Sequence, residues 1–297
     1  MKNFKFAVPQ TTPSWVRILG GFVVLAVAES ISGRFVPDRV VAGPHALPWQ
    51  LCSWLLVAAV LGWAALSSGW SRFQLGVSIF VLLYGTALVN IVEGAYYIKT
   101  GPWGAVLVVM FIALGIVAAA MGMLYRRGDA ASVAEERGRK RLASMVAGAG
   151  WRLLVCDVLY LVIYLTAGMI IIPFVRSFYA TQHIPPMSTI VGLQLLLRGP
   201  MFTVAALLLS RMLSGRRVTS GWRVALGVGT IFAALTGIAP LMVPTTFFPD
   251  HVRLVHLCEV TGSNFVFGVV ATWIWRGWLK LAKVTEPAMP GFAATSR

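Results

Sequence analysis

Two residue pairs spaced three apart carry the strongest chemical signal in this 297-residue chain: His256 with Glu259, and Asn90 with Glu93. On a helix that spacing puts both members on one face. An imidazole and a carboxylate so placed can exchange protons or ligate a divalent ion. Glu29, Gln194, Arg198 and Asn264 join them, each inside an otherwise apolar stretch. An ionisable group in hydrocarbon costs about 2.5–3.5 kcal/mol on the insertion scale, so such groups are usually paired and often functional.

The elements that must position these residues follow from composition. Hydrophobic residues make up 58% of the chain and charged ones 12%, and the mean hydropathy is +0.79. A soluble domain of this length needs more polar surface than that. Apolar runs recur that are long enough to cross about 30 Å of hydrocarbon. The fold class is therefore all-α, a polytopic bundle of about eight transmembrane helices. The spans are expected near 14–33, 49–67, 73–98, 103–125, 151–175, 189–212, 222–244 and 252–277. They form a first half (1–125) and a second half (151–285), separated by a basic loop (126–150) and followed by a tail (286–297). Pro287, Pro290 and Gly291 mark that tail as disordered. Residues 131–145 could form a short basic surface helix or a solvated loop.

Charge sets the orientation. With the N-terminus in the cytoplasm, 19 lysines and arginines fall on the inner side and 5 on the outer, and Arg198 alone lies within a span. That bias puts both termini in the cytoplasm. Tryptophan–arginine groups at Trp15/Arg17, Trp70/Arg72, Trp151/Arg152, Trp222/Arg223 and Trp275/Arg276 mark the inner interface. Measured from them at 1.5 Å per residue, Glu29, Arg198 and Asn264 lie roughly 18–20 Å deep and Gln194 and Glu259 about 25 Å. Asn90, Glu93 and His256 lie at roughly 27–31 Å. This places one outer layer on spans one, three, six and eight. If their polar faces meet, they enclose a cavity open to the outside. His45, His183 and His251 occupy the outer loops above it. For Glu29 and Arg198 the structural account, set beside a functional one, is an ion pair holding spans one and six together. Asp157, nearer the inner side, is expected to be a partner for a helix-end arginine.

Several chemistries find little support. Zinc needs three or four ligands; His256, Glu259 and Glu93 are candidates, but no HExxH is present. Only one histidine lies within a span, so paired haem ligands are not expected. There is no nucleotide-binding loop and no nucleophile-elbow motif. The net charge of +15 is explained by basic loops against anionic lipid rather than by nucleic acid. Cys52 and Cys258 both sit near outer helix ends, so one bridge between them is conceivable, although buried thiols are the plainer reading. Small residues every four positions, Gly115/Ala119 with Ala118/Gly122 and Gly229/Ala233/Gly237, point to close helix packing within the chain. Arg198-Gly199-Pro200 is expected to break span six at mid-membrane, and Pro240 and Pro244 to weaken span seven.

The leading expectation is an inner-membrane protein of bacterial type that binds or translocates a small polar or lipid-like molecule, with Glu259, Glu93 and Glu29 as acidic groups and Arg198 as an anion partner. An enzyme acting on a lipid or peptide at the outer face, with or without a metal, is the alternative. The third is a non-catalytic scaffold within a membrane complex. Expected partners are membrane lipids and a small molecule, with another membrane protein as a further candidate. The cofactor is left open.

Overall fold

The computed structural model describes residues 12–35, 43, 45–97, 103–125, 150–182, 184–214, 221–246 and 248–284, the side chains of 97 and 276–284 excepted. Of the expected loop (126–150) only Gly150 is described, and it opens a helix; 126–149, with the surface helix considered at 131–145, and the tail (286–297) lie outside these residues. Eight helices are long and apolar enough to cross a membrane, and no strand occurs among the described residues. They are α1 (Ser14–Ser32), α2 (Ala46–Ser68), α3 (Arg72–Tyr97), α4 (Trp103–Leu124), α5 (Gly150–Tyr179), α6 (Met187–Leu213), α7 (Gly221–Leu241) and α8 (Asp250–Val284). Outward faces carry large apolar side chains such as Val27, Phe111, Ile116, Val162, Met169 and Leu196. A water-soluble surface would not tolerate so many together. These eight apolar helices fit a polytopic membrane protein.

Glycines let helix backbones approach closely at two places. A Cβ on Gly122 of α4 would lie 2.7 Å from the Arg72 carbonyl and 2.9 Å from the Gly76 nitrogen, so α3 and α4 meet backbone to backbone. Gly237 of α7 stands likewise 2.8 Å from the Thr261 Cα of α8. The small-residue repeats thus serve contacts within the chain. Helix α1 packs on α2 and α4, whereas α8 packs on α5 and α7. The two halves meet where α2 and α3 contact α6. Their shared core holds Phe202, Phe232 and Phe267 around Tyr160.

Pro200 and Pro240 do not break their helices, whereas α7 ends at Leu241, ahead of Pro244. In α6, residues Gln194–Arg198 form a π-turn, with the Gly199 N–H donating to the Gln194 carbonyl. In α7, residues Ala234–Ile238 do the same, with the Ala239 N–H donating to Ala234. Each π-turn ends one residue before a residue–proline step, at Pro200 and Pro240. A proline ring collides with the carbonyl four residues back and offers no N–H. One widened turn absorbs both problems and lets the helix continue.

The interfacial ruler is only partly as expected. Trp15, Trp151 and Trp222 are exposed, and Arg152 and Arg223 lie over the Trp151 and Trp222 rings at 4.5 and 5.4 Å. Arg17 and Trp275, however, are buried in the bundle. All three cysteines are free thiols, so the conceivable Cys52–Cys258 bridge is absent, and both of these residues are exposed rather than buried. They lie on outward faces of different helices.

Candidate functional site

A cavity of about 440 Å³ opens at the end of the bundle where α3 and α5 finish and α6 and α8 begin. Three observations explain its polar floor. First, α8 turns two faces inward. Thr261 and Asn264 point to α7, where Asn264 Nδ2 donates to Thr236 Oγ1 at 2.7 Å. His256 and Glu259 point to α5, where Gly168 leaves room for the Glu259 carboxylate. Second, the π-turn of α6 buries Gln194 and Arg198 on one side. Third, α5 runs to Tyr179, four residues past the expected end, which carries that tyrosine over the cavity.

Two hydrogen-bonded groups result. Arg198 Nη1 meets Glu93 Oε2 at 2.6 Å, and Gln194 Nε2 donates to Glu93 Oε1 at 3.3 Å. The Arg198 guanidinium also lies 5.2 Å from the Phe202 ring centre and 5.8 Å from that of Tyr164. In the second group, His256 Nδ1 is 2.7 Å from Glu259 Oε2, and His256 Nε2 is 2.8 Å from Tyr179 Oη. An ionised carboxylate can only accept. In the neutral imidazole, therefore, Nδ1–H donates to Glu259 and the tyrosine hydroxyl donates to Nε2. Arg198 also attracts Glu259, so the two groups share one electrostatic field.

The sequence candidates divide accordingly. Asn90, Glu93, Arg198, His256 and Glu259 line the cavity. Gln194 and Asn264 sit behind it, each buried to 1% exposure, holding Glu93 and Thr236. Glu29 does not line it, because α1 lies against α2 and α4 on another side of the bundle. The expected Glu29–Arg198 pair is thus replaced by Glu93–Arg198, and span one leaves the site while spans five and seven enter. His45 and His251 are exposed and do not line the cavity, and His183 lies outside the described residues. Among the described residues no three His, Cys, Asp or Glu side chains gather as a metal-ligand set. Glu93 is turned to Arg198, and both imidazole nitrogens already have partners. Asp157 is not found beside a helix-end arginine: its Oδ1 is buried against Gly199 without a hydrogen-bond partner.

Sequence reasoning missed Trp103, Tyr164, Phe178, Tyr179, Phe248 and Arg253, all in the cavity wall. The aromatics carry no spacing signal. Arg253 does, since Asp250, Arg253, His256 and Glu259 form an i,i+3 ladder along α8. Its Nη1 donates to the Leu241 and Met242 carbonyls at 3.1 and 3.0 Å, and its Nη2 to Asp250 at 3.0 Å. Arg253 therefore closes the free end of α7, whose last carbonyls lack helical donors. The chain matches no protein-family model, no curated protein and no solved structure.

Proposed function

We propose that this membrane protein binds, and carries across or presents at the membrane, a small amphiphilic molecule held in the α3–α5–α6–α7–α8 cavity. The observation that carries this reading is a largely apolar, aromatic-walled space whose floor holds two buried, hydrogen-bonded ionic groups. Sites for small molecules are typically 300–1,000 Å³, mostly apolar, with a few convergent polar groups. A cavity of about 440 Å³ with this lining fits that description. The distribution of basic residues supports an outward-facing cavity with both termini cytoplasmic, and the apolar composition suits a bacterial inner membrane. Reporter fusions within 126–149 and after 297 would read that orientation; an external reporter at either site would reverse it.

Gly94 supplies the test. It lines the cavity, and a Cβ there would meet nothing within 4 Å. Gly94→Trp fills the space without a collision at its first atom. Wild-type protein purified in nanodiscs is expected to retain an amphiphile identifiable by mass spectrometry, and the Gly94→Trp protein to lack it. Equal retention by both would remove the cavity as its site.

The Tyr179–His256–Glu259 chain favours a second reading as an enzyme. Glu259 orients the imidazole, whose other nitrogen can take a proton from a hydroxyl. Turnover of a lipid ester by the wild type, lost in His256→Asn with folding intact, would decide for it.

A further inference from the structure

We infer that the cavity selects a lipophilic monocation, an organic ammonium or phosphonium, and that this cation competes with a proton for the His256–Glu259 pair. The inference rests on the cavity being a binding site and adds the class of occupant. It begins with charge. Arg198, which its position in span six marked as an anion partner, is already matched by Glu93 at 2.6 Å. Arg253 is matched by Asp250 and turned onto two carbonyls. Glu259 is left, sharing the field of Arg198 but bonded to His256. With a neutral imidazole, and with Arg253 held by the exposed Asp250 just outside the lining, Glu259 keeps the one negative charge at the cavity to which no guanidinium is bonded. That charge sits on a carboxylate whose side chain is 9% exposed.

A buried charge of this kind needs a partner. Two can supply one. A proton on His256 makes the pair neutral overall. It needs no movement of heavy atoms, because a hydroxyl both donates and accepts. Nε2–H then donates to Tyr179 Oη, and the tyrosine hydrogen turns away. The other partner is a cationic ligand. The walls suit one, since Trp103, Tyr164, Phe178, Tyr179 and Phe248 all face the space. Aromatic faces attract quaternary ammonium groups, and the attraction grows as water is excluded. When the cation enters, the His256 proton leaves and the tyrosine hydroxyl turns back to donate to Nε2. Cation and proton are thus linked reciprocally.

The groups facing this pair come from every neighbouring element. Tyr160, Tyr164 and Tyr179 approach from α5, Arg198 from α6 and Glu93 from α3. Thr236 comes from α7, Thr245 and Phe248 from the segment before α8, and Arg253 with Asp250 from α8 itself. None of them is a second base positioned to take the proton from Nε2, which Tyr179 occupies.

Tetraphenylphosphonium and tetraphenylborate, near-equal in shape and opposite in charge, test the inference. Full-length protein in phosphatidylcholine nanodiscs is titrated with each, and empty nanodiscs supply the lipid background. The phosphonium is expected to bind at least about tenfold more tightly than the borate, and about tenfold more weakly at about pH 5.5 than at about pH 8. Glu259→Gln should lose the preference and the pH dependence together while keeping its thermal transition. A measurement on the wild type alone guards against a misfolded variant: in weak buffer, phosphonium binding should release up to about one proton per ion. Equal binding of the two ions, no proton release, or unchanged phosphonium binding at both pH values would overturn the inference. If those results came while Gly94→Trp still emptied the cavity of a neutral amphiphile, the binding reading would stand and only the cation would fall.

Discussion

Replacing Glu93 by Gln strands the Arg198 guanidinium inside the bundle. The side chains of the pair are 9% and 18% exposed, their contact is 2.6 Å, and Arg198 Nε has no other partner. Removing one member of a buried ion pair costs about 3–5 kcal/mol, because the remaining charge is uncompensated. Arg198 retains the more distant attraction of Glu259, so the lower end, about 3 kcal/mol, is expected. Arg198→Met alone leaves Glu93 with only the Gln194 amide at 3.3 Å, and a similar loss follows. The double variant removes both charges. Apolar replacement of a whole buried pair is often close to neutral, so it should be more stable than either single variant, with a coupling of at least about 2 kcal/mol. Reversible unfolding of the four proteins in mixed micelles measures this. Additive losses, with coupling under about 0.5 kcal/mol, would show that Arg198 is not neutralised by Glu93. The charge count for the cavity would then fail as well.

Other outcomes follow from the packing. Gly237→Val pushes a side chain into the Thr261 backbone and should cost at least about 1–3 kcal/mol; an unchanged unfolding midpoint would contradict the α7–α8 contact. Asn264→Leu removes the bond to Thr236, whose hydroxyl keeps the Phe232 carbonyl. The loss should be mild, about 0.6 kcal/mol and no more than about 1.7, and a larger one measured by the same unfolding would give Asn264 a further role. Mild oxidation should leave gel mobility unchanged with and without reductant, because Cys52, Cys156 and Cys258 are free. A faster-running oxidised band lost in Cys258→Ser would restore the bridge.

The amino-acid sequence by itself determined how many apolar segments there are and where each begins and ends to within four residues, except that α8 runs on to Val284 rather than stopping near 277. Hydropathy and helical rise belong to each segment alone, so no knowledge of its neighbours is needed. The pairs His256/Glu259 and Asn90/Glu93 were legible for the same reason, since three residues along one helix fix a common side. Only the tertiary structure decided which sides meet. Glu29 and Glu93 are both acids deep in apolar runs, yet α1 packs against α2 and α4 while α3 meets α6, so Arg198 takes Glu93. Depth is one coordinate and direction around the bundle is another. The second is set by backbone approaches at Gly122 and Gly237 and by the two π-turns before Pro200 and Pro240. Those contacts form between segments far apart in the chain, and hydropathy does not encode them.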